Sequence, residues 1–535
     1  MRMTLPIHAP IRAEAGWSRA LALAAYAALC LAYVAWGWTD DLTDLGGDSA
    51  MYMLMARHLS PFHPASAVLA EAVKTAAYPP LFPLLIGWCG GGMLAGHLIA
   101  VACLLAALPV LFLWLRSEDL AWTNAVWLTA IFALMPGTYL LTLNIWTENP
   151  YLLFSLLALL AQRRGESEDD GARRPPWLAA AAVALATLTR AAALPLLGAF
   201  AAHLVLRRPP RWPWLLLAGA APFVLWAATG QSQQSGFTNY IAQWNDRYGH
   251  DAVRILLQQV SGESRRLLGA WIQAWLGPAG QSSALQYPVM AVGALCLAGW
   301  LRRLARLRFD ALYLALYAAL LLAWPFPAEA ERLEYVLTPV LLAQGALLLQ
   351  ALDVALRGAG GRLLLVYGGM LSLMIAPSLV LTAQRYFLPA PGGLTLLKHT
   401  PEWYGDDRLE AVPQALVMAV NFNALRGIGK YVASGECVLS IKPSVVTLYA
   451  ERSSYTPPPA AADGAAFERG IARCRYVYAM ALVSPSFREP FYPLGRMGQR
   501  GKALLNAAGG DQSHWDTYGL LVDLGAGPSP YATRP

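Results

Sequence analysis

Eleven apolar stretches, separated by loops whose charge alternates in sign, constrain this chain more than any other feature. They run at about 20–38, 93–115, 120–135, 149–162, 177–189, 191–206, 212–229, 286–301, 309–324, 333–351 and 363–383. A helix crosses a bilayer with about 20 apolar residues, and these stretches have or approach that length. Every second loop carries arginine: Arg116, 163–174, 207–211, 302–308 and 357–362. The intervening loops carry acids: 40–48, Glu148, and Glu329 to Glu334. Arginine excess marks the cytoplasmic side, so the alternation sets an orientation. Arg2, Arg12 and Arg19 against the single Glu14 put the N-terminus inside as well, and the C-terminus then lies outside. Stretches 177–189 and 191–206 are short and meet at Arg190. Two spans or one re-entrant pair both return the chain to the arginine-rich side.

The fold class expected is an α-helical polytopic membrane protein with a small C-terminal α/β domain. Composition agrees: 57% of residues are hydrophobic, only 14% are charged, and mean hydropathy is +0.41. A soluble protein carries about 25% charged residues. The net charge of +7 lies in the loop arginines and gives no reason to expect a nucleic-acid partner. The first apolar stretch is too long for a signal peptide and lacks a small-residue cleavage site, so it reads as a retained helix.

The first outer loop, 39–78, holds Asp40, Asp41, Asp44 and then Gly47-Asp48-Ser49. After it comes Tyr78-Pro79-Pro80-Leu81-Phe82-Pro83, whose prolines argue against a continuing helix and for a piece lying at the outer interface. Residues 230–285 form a second outer region. Ile255, Leu256, Val260, Leu267 and Leu268 oppose Arg254, Glu263, Arg265 and Arg266 there, as in an amphipathic helix flat on the outer surface. From about 385 the composition turns mixed, which divides the chain into 1–384 and 385–535. Strands are expected at 436–441, 475–480 and 520–524, with helices at 443–449 and 465–472. Cys437 and Cys474 lie in this part and are candidates for a disulfide if it faces an oxidising compartment. Cys30, Cys89, Cys103 and Cys296 lie in apolar segments and read as buried thiols.

Candidate chemistry gathers on the outer face. Asp48, Glu148, Arg190 and Arg332 are ionisable groups beside apolar helices, where such groups are costly and point to function. Arginine grips phosphate bidentately, and a partly desolvated carboxylate accepts a proton from an alcohol. Each residue has a plainer reading: Asp48 as a helix N-cap, Glu148 as a solvated loop acid, Arg190 capping helix carbonyls, Arg332 paired with Glu329 or Glu334. Tyr52 lies four residues beyond Asp48, on the same helical face. Lys74 and His63 are weaker loop candidates, and His97 and His203 read as packed. Met51, Met53 and Met55 diverge around a helix and read as packing. No His/Cys spacing suggests a metal, and no cofactor is expected.

Gly47-Asp48-Ser49-x-x-Tyr52-x-x-x-Ala56-Arg57-x-Leu59, followed by Tyr78-Pro79-Pro80-Leu81-Phe82-Pro83-Leu84-Leu85, resembles the GT-C superfamily of polyprenyl-phosphate-sugar glycosyltransferases. The protein mannosyltransferase-like and lipid A aminoarabinose transferase-like families are the nearest in look. Trp146-Thr147-Glu148, Leu188-Thr189-Arg190 and Arg332-Leu333-Glu334-Tyr335 ahead of Pro339 extend the likeness. The resemblance implies a glycosyltransferase of the bacterial inner membrane, hexosyl- or pentosyl-transferring, with its C-terminal domain in the periplasm. It implies Asp48 as catalytic base and Glu148 as the second acidic position. Arg332, with Arg190 and Lys74, would hold the donor phosphate, and Tyr52, Tyr78 and Trp146 would line the substrate. Its partners would be a polyprenyl-phosphate sugar and an envelope lipid, glycan or protein acceptor. Many relatives have Asp-Glu in the first loop; Ser49 stands here in place of that Glu, which calls into question a metal site built on it and leaves a divalent metal open. Two other classes stand beside this one: a ligase or polymerase moving a whole lipid-linked glycan, and a lipid or solute transporter. A transporter would show two similar halves, which this sequence lacks.

Overall fold

The computed structural model describes residues 16–45, 47–74, 76, 78–167, 176–228, 249, 252–277, 283–324, 329–356, 362–391, 394–404, 408–457, 464–480, 501–507 and 519–525. Helix α1 (Gly16–Trp36) enters the first outer loop, which folds into α2 (Asp48–Leu59), α3 (Ala67–Val73) and α4 (Leu81–Trp88). The bundle continues through α5 (Met93–Ser117), α6 (Trp122–Leu134), α7 (Pro136–Leu141), α8 (Glu148–Ser167), α9 (Trp177–Thr189), α10 (Leu194–Arg207) and α11 (Trp212–Ala228). Then come α12 (Ala252–Leu276), α13 (Ser283–Leu304), α14 (Phe309–Leu322), the short α15 (Ala330–Tyr335), α16 (Thr338–Ala355) and α17 (Arg362–Phe387). Among the described residues, five helices have the length and apolarity to cross a membrane: those spanning Arg19–Trp36, Met93–Ser117, Ala284–Leu304, Thr338–Ala355 and Arg362–Phe387. Five shorter apolar helices, together with α8, occupy the remaining stretches expected from the sequence.

Three local expectations change. The proline-rich piece is not an irregular interfacial segment, because α4 begins within it. Pro80 caps that helix and Pro83 sits in its first turn, where a missing N–H costs nothing. The tenth stretch is two helices, not one. Its chain breaks at Val336–Leu337, and Pro339 opens α16. The amphipathic helix α12 does not simply float on a surface. Its second half buries Trp271, Trp275 and Leu276 in the bundle core. Residues 230–248 of that region lie outside the described residues.

The arginines of the inner loops also help hold the bundle together. Arg303 reaches Glu118 at 3.0 Å and Asp310 at 2.9 Å, while Arg308 meets Glu118 at 3.3 Å and Glu166 at 3.2 Å. These bonds join α5, α8, α13 and α14 at their arginine-rich ends.

The C-terminal part adds α18 (Arg408–Arg426), β1 (Cys437–Leu439), α19 (Pro443–Ala450), β2 (Ser453–Tyr455), α20 (Gly464–Ile471), β3 (Tyr476–Met480), β4 (Lys502–Asn506) and β5 (Gly519–Asp523). The sheet order is β2-β1-β3-β5-β4. β1 runs parallel to β2 and β3, while β5 is antiparallel to β3 and β4. The three strands foreseen from the sequence are the central ones. The edge strands β2 and β4 are half-buried, so they lack the apolar run that marks a strand between two layers. Cys437 and Cys474 are joined, with Cα atoms 5.1 Å apart, tying the start of β1 to the approach of β3.

The sheet domain does not stand apart from the first loop. One hydrophobic core contains Ala50, Met53, Leu54, Phe82 and Ile86 from the loop and Met418, Phe422, Val445, Leu448 and Tyr478 from the C-terminal part. Burying each such side chain contributes about 1.5–3 kcal/mol. Polar bonds reinforce the seam. Arg57 donates to the Leu448 carbonyl at 3.1 Å, the Tyr449 hydroxyl accepts from the Leu42 amide at 3.0 Å, and Arg426 pairs with Asp41.

Candidate active site

Gly47 fixes where the site begins. Its φ of +101° lies in the left-handed region that a side chain disfavours. The backbone turns there and α2 starts at once, so Asp48 is the first helical residue. Gly47 occupies the N-cap position without any side-chain cap bond, which removes the plain capping reading of Asp48. The carboxyl of Asp48 instead accepts hydrogen bonds from side chains far along the chain. The Tyr78 hydroxyl donates to Oδ1 at 2.5 Å, and Arg332 Nη1 donates to Oδ2 at 2.5 Å.

Arg332 is placed by the short helix α15, and its Nε donates to Glu148 Oε1. Glu148 is the first residue of α8, where the helix dipole favours a carboxylate. It is no solvated loop acid, since its side chain is 3% exposed. Arg190 is the extended residue between α9 and the turn before α10. Its Nη1 meets the same Glu148 Oε1 at 2.9 Å. Two carboxylates and two guanidiniums from four separated elements thus form one chain: Asp48, Arg332, Glu148, Arg190. The hydrogen bonds of Arg332 go to Asp48 and Glu148, remote in sequence, while Glu329 accepts from Trp324 Nε1 at 3.2 Å and acts on Arg332 through its charge. The guanidinium of Arg332 also lies 4.4 Å from the ring centroid of Trp146, a cation–π contact.

The rest of the candidate set divides. Tyr78 and Trp146 join the cluster directly. Tyr52 lies behind it, nearly fully buried, with its ring centroid 4.8 Å from that of Tyr78 and its hydroxyl 3.4 Å from Thr147. Helical spacing suggested Tyr52 as the aromatic neighbour of Asp48, but the hydroxyl that reaches the carboxyl belongs to Tyr78. Lys74 lies elsewhere: its side chain is 63% exposed and pairs with Glu71 at 2.7 Å. His63 bonds the Gly90 carbonyl at 3.1 Å, and His97 the Asp41 carbonyl at 3.0 Å, both as loop ties. Among the described residues no group of three His, Cys, Asp or Glu side chains is placed to hold a metal.

Two residues enter that sequence reasoning did not single out. Asp44 accepts from Trp146 Nε1 at 2.8 Å and from the Ser49 hydroxyl at 2.9 Å, so it orients the indole beneath Arg332. Lys442, just ahead of α19, lies near enough to Asp44 and Asp48 for their charges to act on it, so the C-terminal domain brings a cation into the neighbourhood of the site. The alternation of loop charge gave no sign of either.

Electrostatics separates the two aspartates. Burial alone would raise the Asp48 carboxyl, but Arg332 and the Tyr78 hydroxyl more than offset it and hold the group below the ordinary carboxylate range. Burial dominates at Asp44 and pushes it above that range despite its hydrogen bonds. Of the four charged groups, Asp48 is the most open at 27%, against 13% for Arg332, 10% for Arg190 and 3% for Glu148. Asp48 is thus the most open end of the network, and Glu148 is the buried carboxylate between the two arginines.

No family model matches the sequence, and no curated protein matches it by sequence. Solved structures do resemble the fold. ArnT from Cupriavidus metallidurans bound to undecaprenyl phosphate aligns over 98% of this chain and 100% of its own, with a TM-score of 0.55 and 13% identity. The same protein in the apo state aligns over 95% and 97%, with a TM-score of 0.51 and 13% identity. An Archaeoglobus fulgidus oligosaccharyltransferase aligns over 86% of this chain and 67% of its own, at a TM-score of 0.46 and 17% identity. The ArnT likeness extends from the first helix to the C-terminal sheet. The chain shares that fold: a polytopic bundle of apolar helices followed by a small α/β domain, as expected from the sequence.

Proposed function

We propose that this protein is a membrane glycosyltransferase that moves a sugar from a polyprenyl-phosphate donor to a hydroxyl of an envelope acceptor. The observation that carries the reading is the convergence of Asp48, Arg332, Glu148 and Arg190 in one buried network on the outer-loop side. A carboxylate open to an acceptor beside a guanidinium suited to phosphate is what such a transfer requires. A fold shared with a protein solved bound to undecaprenyl phosphate supports the donor class.

The reaction follows from those roles. The acceptor oxygen attacks the anomeric carbon and forms the new glycosidic bond. The bond from that carbon to the phosphate oxygen breaks, and its electron pair leaves on polyprenyl phosphate. Asp48 takes the acceptor proton. Arg332, with Arg190 behind it, stabilises the charge gathering on the departing phosphate. A single displacement of this kind inverts the anomeric centre. Trp146 and Tyr78 flank the Asp48–Arg332 pair, and Lys442 adds a positive charge nearby.

The membrane is the bacterial inner membrane in this reading, with the N-terminus in the cytoplasm and the 385–535 domain in the periplasm. The Cys437–Cys474 bond supports an oxidising compartment for that domain. The test is sugar release from labelled polyprenyl-phosphate sugar in membranes holding wild type or Asp48→Asn. Release by wild type that stops in the variant supports the assignment. Full transfer by a folded, inserted Asp48→Asn protein overturns the role of Asp48.

A further inference from the structure

We propose that Arg332 is a latch exchanged between Asp48 and the donor phosphate, so that Asp48 is freed to take the acceptor proton only after the donor has bound. This deepens the reading above and rests on it. As the structure stands, Asp48 is committed: one oxygen accepts from Arg332 and the other from Tyr78, each at 2.5 Å. A carboxylate neutralised by a guanidinium is a poor proton acceptor. The resting arrangement thus holds the base in an unproductive bond.

The two ends of the network are not equally firm. Glu148 is gripped by Arg332 and Arg190 together, sits at a helix start, and is 3% exposed. Asp48 is 27% exposed and keeps Tyr78 as a partner if Arg332 leaves. The hydrogen-bonded chain pairs two carboxylates with two guanidiniums, and Asp44, Glu329 and Lys442 lie near enough to act on it electrostatically. A phosphate entering beside Arg332 adds a further negative charge within a few ångströms, in surroundings that screen poorly. Releasing Asp48 toward the open edge relieves that excess, whereas releasing Glu148 would leave a 3%-exposed carboxylate on Arg190 alone. Arg332 then keeps Glu148 as its anchor and trades Asp48 for phosphate. Trp146 holds the guanidinium plane through the exchange. The latch also favours the forward step, because the departing phosphate gains charge as transfer proceeds and binds Arg332 more strongly than the intact donor does. The order of binding that follows is donor first, acceptor second.

The experiment uses the full chain in lipid nanodiscs with undecaprenyl phosphate as the probe. Structures are determined with and without it, and its affinity is measured for wild type and Asp48→Asn. The expected result is Arg332 on the phosphate, still bonded to Glu148, and beyond the roughly 4 Å ion-pair limit from Asp48. Asp48→Asn, which removes the competitor, is expected to bind the probe at least threefold more tightly. Bound phosphate with the Arg332–Asp48 pair intact, for instance on Nη2 alone, overturns the latch and leaves the functional reading standing. Unchanged or weaker binding by Asp48→Asn overturns it too. Failure of wild type to bind the probe overturns the donor assignment itself, and the latch with it.

Discussion

Replacing Glu148 by glutamine separates a group that holds the site from one that performs its chemistry. The Glu148 side chain is 3% exposed and lies between Arg332 and Arg190. The amide oxygen of glutamine still accepts one hydrogen bond, but the negative charge shared by two buried guanidiniums is gone. Asp48 continues to offset Arg332, whereas Arg190 loses the carboxylate it meets at 2.9 Å. Breaking a buried pair from one side costs about 3–5 kcal/mol, because the remaining charge is left uncompensated. Thermal unfolding of the detergent-solubilised protein should therefore fall by several degrees in Glu148→Gln. Asp48→Asn is the paired measurement. Its carboxyl is more open, its removal leaves Arg332 on Glu148, and the melting temperature should fall by less. Transfer activity should show a different pattern, with Asp48→Asn losing about 10²–10⁴-fold, the usual contribution of a general base. A Glu148→Gln protein that melts with wild type would refute the placement of Glu148 as the charge that holds both arginines.

Three further outcomes follow. The Asp48 carboxyl is held below the ordinary range in the folded protein, so its contribution to stability is fully present above the unfolded value near pH 3.9 and is lost as pH falls through the lower folded value. The melting-temperature difference between wild type and Asp48→Asn should accordingly be flat from neutral pH to about 5 and shrink in stronger acid; a difference that instead grows with acidification contradicts this sign. Gly47→Ala places a side chain at φ +101° and should cost about 1–2 kcal/mol with a loss of transfer, measured by melting and by sugar release, because the turn that aims Asp48 is strained. Reducing the Cys437–Cys474 bond, which closes a loop of sequence separation 37, should destabilise the C-terminal domain by roughly 3–4 kcal/mol. A membrane-impermeant maleimide should then label Cys437, the more exposed of the two, in intact spheroplasts, and protection of Cys437 would contradict the outward placement.

Segment positions and the alternation of arginine and acid along the loops were legible without a structure, because lipid solubility and loop charge are properties of contiguous residues. Asp48, Glu148, Arg190 and Arg332 could be singled out for the same reason: an ionisable group beside an apolar helix stands out locally. What joins them could not be read. Asp48 and Arg332 are separated by 284 positions, and nothing in either neighbourhood says which carboxylate an arginine will meet. Local spacing chose Tyr52 as the aromatic partner of Asp48, yet Tyr78 provides the hydroxyl, since α4 folds back across α2 and brings its approach over the carboxyl. Lys74, equally eligible as a loop cation, stays at the surface with Glu71. Lys442 belongs to a domain that composition sets apart from the bundle, but a shared apolar core docks that domain on the first loop and carries the lysine to the site. The sequence by itself determined the apolar stretches, the loop charges from which an orientation is expected, and the ionisable residues worth following. Only tertiary packing decided which of them share charge, which is buried as an anchor, and which is left open to react, because those outcomes depend on distances between residues that are remote along the chain.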